Sequence, residues 1–354
     1  MNVPTTDSAM YETMRRQPAD LRRLLDNWAP AEDAARRLAG AARVFLVGIG
    51  TSYHAALVGA WLLRAAGTDA RAVSSFDFSV YPESFALGAH DAVVVLAHSG
   101  VKTYSTLALQ RAENVGATRL SVGSLTAEHV GSQQVLRTVE RERSAAFTAS
   151  HVAAMTVLAQ VAASLGESRG ATATMALRSA LDRLPEQVET VLTRHDEVAP
   201  VAREAASRRV YAIGAGPNEA TATEAVIKVR EAAQAWIDCL AIEQFLHGPL
   251  VAVNADDVVV AINIAGAAAA GRVAEITRVL HAIGARLWLI GSDVEGVAAQ
   301  VFALPEVAEV ISPLLAVVPV QMLAYEMAVV RGINADRFRR DEPRYADALG
   351  LLKM

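Results

Sequence analysis

One feature constrains the fold of this chain more than any other: a strand–turn pattern that occurs twice. Val44-Phe-Leu-Val47 is a short apolar run that ends in Gly48-Ile-Gly50, with a helical pattern from about Ser52 to Ala66. Asp91-Ala-Val-Val-Val-Leu96 ends in Ala97-His-Ser-Gly100, again before a helical stretch. Arg119-Leu-Ser-Val122 is the third run. The same order returns as Val210-Tyr-Ala-Ile213 with Gly214-Ala-Gly216, as Val258 to Ile262 ending near Ala265-Gly266, and as Gly284-Ala-Arg-Leu-Trp-Leu-Ile-Gly-Ser292, which echoes Gly116-Ala-Thr-Arg-Leu-Ser-Val-Gly-Ser124. From Val44 to Val210, from Asp91 to Val258 and from Gly116 to Gly284 the spacings are 166, 167 and 168 residues. Chance rarely gives so constant an offset across three elements. Alternating short β-runs and helices predict parallel sheets with helices on both faces. The expected fold is therefore α/β, with two homologous domains in tandem. Helices are expected over 1–40, a first domain over 41–168, a helical connector over 169–205 and a second domain over 206–354.

Composition removes several function classes. Charged residues are 20% of the chain and the net charge is −5, with Lys and Arg scattered, so no basic footprint for nucleic acid exists. The one cysteine, Cys239, excludes an internal disulfide framework and a cysteine-based zinc site. It suits a reducing cytoplasm and reads as a buried strand residue. No histidine grouping has ligand spacing, so no metal is expected. The first thirty residues hold no apolar core of a signal peptide. The most apolar stretch, 310–330, contains Pro313, Pro319, Gln321 and Glu326. It predicts a buried helix at a core or dimer seam, with no membrane span.

The glycine-rich turns raise the question of a dinucleotide. A Rossmann turn needs a third glycine three residues after the second. Tyr53 and Glu219 stand there instead, so no nucleotide cofactor is expected. The first copy offers Gly50-Thr51-Ser52 at one turn and His98-Ser99-Gly100 followed by Lys102-Thr103 at the next. Helix N-termini present unpaired N–H groups and a positive dipole end. With hydroxyls and a lysine added, the two turns predict a phosphate cradle at a topological switch point. Helix capping by Thr51, Ser52 and Ser99 is the alternative reading. The second copy has Gly216-Pro217-Asn218 and Asn263 to Gly266 at these turns, and the hydroxyl pattern is gone.

The second copy carries a different signal. Glu224, Lys228 and Glu231 fall at i, i+4 and i+7 among Ala, Val and Ile, which places them on one stripe of a helix. Carboxylates and an amine on an apolar helix are costly unless paired or used. His247 follows in Glu243-Gln-Phe-Leu-His-Gly-Pro-Leu250. A structural ion pair with a loop histidine is one reading and a catalytic group is the other. If the first copy holds phosphate and the second supplies the titratable groups, one composite site results.

Over nearly its whole length the chain resembles the sugar isomerase (SIS) domain family, in particular the isomerase half of glucosamine-6-phosphate synthases. The resemblance rests on Glu12…Gln17-Pro18, Gly50-Thr-Ser-Tyr53, Ser99-Gly100, Ala146-Phe-Thr148, Glu224…Lys228…Glu231, Leu246-His-Gly-Pro-Leu250, Ile311-Ser-Pro313 and Val318-Pro…Gln321-Met-Leu-Ala-Tyr. It implies two flavodoxin-like domains, each a five-stranded parallel sheet, and a homodimer. It implies that Ser52, Ser99 and a neighbouring hydroxyl or Lys102 bind a sugar 6-phosphate. Glu231 would be the base moving a proton between C1 and C2, with Lys228 beside it. His247 would assist ring opening, reaching the partner subunit's site. Gly50, Thr51, His98, Gly100 and Thr103 complete the expected phosphate set, and His54 lies next to it.

The departures from the family are specific. The usual Ser-Gln-Ser-Gly-Glu-Thr turn reads Ala97-His-Ser-Gly-Val-Lys102. The tail lysine that engages the sugar carbonyl is replaced by Ala348 or, in another register, by Pro343, and Lys353 is the only lysine of the tail. No glutaminase domain and no N-terminal cysteine nucleophile occur in this sequence, so glutamine-dependent amination is not expected. The sequence thus predicts a cytoplasmic phosphosugar aldose–ketose isomerase, with deamination or deglycation as variants. A sugar-phosphate sensor without catalysis is the alternative.

Overall fold

The computed structural model describes residues 8–352. It contains two sheets, each of five parallel strands flanked by helices. The first comprises β1 (Val44–Gly48), β2 (Ala70–Ser74), β3 (Ala92–Leu96), β4 (Thr118–Gly123) and β5 (Gln134–Arg137), in the order β2-β1-β3-β4-β5. The second comprises β6 (Val210–Gly214), β7 (Ile237–Ala241), β8 (Val258–Asn263), β9 (Arg286–Gly291) and β10 (Gln300–Ala303), in the order β7-β6-β8-β9-β10. Both follow one flavodoxin-like order, with the switch point between the first and third strands of each. The register agrees as well: Val44 pairs with Ala70 and Ala92, and Val210 with Ile237 and Val258.

Central strands are buried end to end, as Val- and Ile-rich parallel strands are when both faces are covered. The four edge strands, β2, β5, β7 and β10, are only partly buried. Cys239 lies on β7 as a strand residue, but it is half-buried rather than buried, because β7 pairs only with β6. Its thiol sits 3.5 Å from the Thr223 hydroxyl, and burial pushes its pKa up.

A buried clasp appears in both sheets. Before β1 and β3, Arg43 grips Asp91 through two bonds of 3.0 and 2.6 Å, and the Gly88 N–H donates to the same carboxylate. Before β6 and β8, Arg209 grips Asp257 at 2.9 Å twice, and the Asn254 N–H donates to it. The fork geometry suits Arg and carboxylate. Each clasp closes the amino ends of two neighbouring strands, opposite the edge where their turns emerge.

The chain forms two compact units. One gathers Arg16–Glu142 and Ala149–Pro185 around the first sheet; the other gathers Arg143–Thr148 and Glu186–Leu352 around the second, with the start of the chain up to Arg15. Each has a long apolar helix, Ala149–Arg169 in the first and Ser312–Arg331 in the second. Both are long and apolar enough to cross a membrane, yet nearly all of each is buried inside the protein. The second covers the predicted 310–330 stretch, and within it the fully buried Gln321 donates to the Thr148 carbonyl at 3.3 Å.

Candidate functional site

In the first unit the two predicted turns leave neighbouring strands, β1 and β3, at the switch point. Gly48 permits the tight exit from β1, since a Cβ there would lie 2.7 Å from the Ser52 backbone. Gly50 then takes φ 59°, ψ −133° and holds the N-cap position of helix Thr51–Ala65, with no side-chain cap. At the other turn Lys102 holds the N-cap position of helix Thr103–Asn114, again with no side-chain cap. Thr51, Ser52 and Ser99 are therefore not helix caps, and all three are half-buried at the mouth of the turns. Lys102 and Thr103 are exposed. Gly100, at φ 97°, lies against the 124–132 loop, and the next residue, Val101, donates its N–H to the Glu128 carbonyl at 3.2 Å.

His98 points inward. Its Nε2 accepts the Glu142 N–H at 3.3 Å, and the Glu142 carboxylate accepts the Ser150 N–H, 2.7 Å away, at the start of helix Ala149–Arg169. Burial, helped by the positive charges of Arg141 and Arg16, pushes the His98 pKa down to about 4. The imidazole is neutral at physiological pH, so it braces the turn and adds no charge to it. His54 is buried within its helix. Glu142 is a site-building residue that sequence reasoning missed. It sits in the charged run Glu140-Arg-Glu-Arg143, which reads as a solvated surface.

In the second unit the predicted stripe exists. On helix Glu219–Ala233, the Lys228 ammonium lies 2.8 Å from a Glu231 oxygen and 3.4 Å from a Glu224 oxygen. Lys228 and Glu224 are 1% and 0% exposed at their side chains, and Glu231 is 30% exposed. A buried amine between two carboxylates is held by geometry, because desolvated charges persist only when paired. Of the three, Glu231 alone reaches the surface. His247 ends the short helix Ile242–Leu246 with its side chain 76% exposed, and its nearest acid is Glu243, at 3.7 Å, not Glu231. On the tail, Pro343 and Ala348 lie exposed on helix Pro343–Leu349, and Lys353 falls outside the described residues. No group of three or more metal-ligating side chains occurs among the described residues.

Known proteins resemble the chain over most of its length. Residues 37–164 match the SIS domain family model. Over that stretch the chain carries a SIS domain. It is 30% identical over 346 residues to a glutamine–fructose-6-phosphate aminotransferase (isomerizing) of Methanothermobacter thermautotrophicus, covering 94% of this chain and 56% of that protein. The chain spans about half the length of the curated relatives it matches. Among solved structures, the C-terminal domain of glucosamine-fructose-6-phosphate aminotransferase from Francisella tularensis superimposes with a TM-score of 0.84 at 16% identity, covering 93% of this chain and 98% of that one. A glucosamine-6-phosphate deaminase from Thermotoga maritima gives 0.73 at 17% identity, covering 93% and 97%. The SIS-domain protein therefore shares its fold with sugar-phosphate enzymes, and its relatives are similar to it through their isomerase part.

Proposed function

We propose that this SIS-domain protein is an aldose–ketose isomerase acting on a hexose or amino-hexose 6-phosphate, and that its second half is a second SIS domain. The carrying observation is the triad on helix Glu219–Ala233: a buried lysine fixed between two carboxylates, of which only Glu231 reaches solvent. Holding a ligand requires no such base. Moving a proton between adjacent carbons requires one, held in a fixed orientation. Glu231 takes the proton from C2 of the open-chain sugar and returns it at C1 through an enediol or enolamine. Lys228 is a positioning residue, since its ammonium is buried, and Glu224 holds Lys228. The turns at Gly50-Thr51-Ser52 and Ser99-Gly100, with Lys102 and Thr103, take the phosphate. Anchoring far from the reacting carbons supplies orientation. His247, exposed and outside the triad, assists ring opening from the partner subunit of a homodimer.

The names of the relatives extend the substrate range. The same proton transfers convert an amine at C2 or C1 into an imine, which water then hydrolyses to a carbonyl with release of the amine, so deamination or deglycation fits the same residues. The test incubates the protein with fructose 6-phosphate, glucosamine 6-phosphate and ketosamine 6-phosphates and follows sugar interconversion and released amine. Turnover that disappears in Glu231→Gln supports the proposal; no turnover of any of them, or full activity in Glu231→Gln, overturns it. A non-catalytic sugar-phosphate sensor is the second reading. It is favoured by the tail, where Ala348 or Pro343 stands at the family's lysine position. Calorimetric binding with no turnover, unchanged in Glu231→Gln, would establish it.

A further inference from the structure

The second sheet has its own pair of turns at its own switch point, and they are not empty of charge. Gly214 matches Gly48: a Cβ there would lie 2.2 Å from the Asn218 carbonyl oxygen. Gly216 matches Gly50, with φ 56° against 59°. The neighbouring turn, after β8, opens helix Ala270–Ile283. One oxygen of Glu309 accepts the Ala268 N–H of that turn at 3.0 Å. The other lies 3.4 Å from the point where a Cβ on Gly216 would be. That carboxylate therefore accepts an N–H from one turn and lies close to the glycine of the other. It is held there from behind: the Ser312 hydroxyl donates to the Glu309 carbonyl at 2.8 Å, the Asn218 amide donates to that hydroxyl at 2.7 Å, and Thr221 donates to the Asn218 oxygen at 3.0 Å.

We infer that the second copy retains an oxyanion-binding turn and that Glu309 fills it from within. Backbone N–H groups at a glycine turn and a helix start favour a negative group whatever its source. In the second copy that group is a side chain of the same chain, and a bound phosphate is unnecessary. The hydroxyls of the first copy are dispensable here, because a carboxylate fixed by the chain needs fewer donors than a ligand that must be captured. Removing the carboxylate opens a site for a tetrahedral oxyanion of the phosphate or sulfate class.

The test counts inorganic phosphate bound per chain by equilibrium dialysis in the full-length wild type and in Glu309→Ala. The variant is expected to bind one phosphate more than the wild type, and phosphate is expected to raise its thermal midpoint by several degrees more, as mass action requires for a ligand of the folded state. Equal counts and equal shifts would overturn the inference. The reading depends on the difference between the two proteins, so phosphate taken up at Ser52 and Ser99, or its failure to bind there, cancels. Should Glu309→Ala fail to fold, Glu309→Ser carries the same comparison.

Discussion

The two copies agree wherever the fold makes demands and differ wherever chemistry does. Each has the 2-1-3-4-5 strand order, an Arg–Asp clasp before its first and third strands, and a glycine at φ near 60° after its first strand. On the helix after that strand they part. At the 166-residue spacing that relates β1 to β6, the first copy has Val58, Leu62 and Ala65 where the second has Glu224, Lys228 and Glu231. At the turns the contrast reverses: the first copy presents Thr51, Ser52, Ser99 and Lys102, and the second carries Glu309. The two sheets share one frame, while the charged helix stripe lies beside one and the hydroxyl-bearing turns beside the other.

The contrast can be broken most directly at Glu231. Glu231→Gln is expected to cost about 10²- to 10⁴-fold in turnover, while Ala65→Glu in the first copy creates no activity; a sugar-interconversion assay on both variants decides it. The clasps should show the opposite behaviour, with effects on stability and none on turnover. Asp91→Asn is expected to lower unfolding stability by about 1–2 kcal/mol, since two charge-assisted bonds are weakened. Asp257→Asn should cost less, because Arg209 is more open to solvent than Arg43. Denaturant unfolding of both variants ranks them, and an equal loss would erase the distinction.

Acid separates the copies next. Burial, together with the charge of Arg137, pushes the His129 pKa down to about 4, as burial does for His98. Both imidazoles are neutral in the folded first unit where the unfolded chain binds protons from about pH 6.5 downward. Stability should therefore fall as pH drops from about 6.5 to 4, by roughly 1 kcal/mol per pH unit for each histidine. The second copy has Ile264 and Val297 at these places and no such loss. The difference between unfolding stability at pH 7 and at pH 5 should shrink by about half in His129→Val, with the His98 share remaining. The smallest effect belongs to the hydroxyls: Ser52→Ala or Ser99→Ala should each raise the KM for a phosphosugar by about tenfold or less, the worth of about one hydrogen bond, with little change in kcat. A fall in kcat with constant KM would move these residues from phosphate holding to chemistry.

Legibility in the sequence followed local pattern. β1, β3, β6, β8 and β9 are largely apolar runs, and their near-constant spacing is what pointed to two similar halves. Of the edge strands only β7 is legible, through Cys239; β5 and β10 are not, because Gln134-Val-Leu-Arg137 and Gln300-Val-Phe-Ala303 face water on one side and lack the pattern. The Glu224–Lys228–Glu231 stripe was legible because helix periodicity alone brings the three together. The Arg–Asp clasps join residues 48 positions apart, and Glu309 reaches Ala268 across 41. No spacing rule connects such pairs before the sheet exists. His98 was legible as a residue of the turn but not as a neutral brace, since its orientation depends on Glu142, far along the chain.

The start of the first helix has a consequence for the order of events in synthesis. The N–H groups of Ala9 and Met10 both donate to the Asp336 carboxylate, at 2.9 and 2.8 Å, across 327 and 326 residues. The helix Ala9–Leu25 is therefore capped by a residue made more than three hundred residues later. At about 5–20 residues per second, its first turn waits on the order of tens of seconds for a partner. This helix thus leaves the ribosome long before its cap exists, and until then its opening turn is exposed to whatever meets the growing chain.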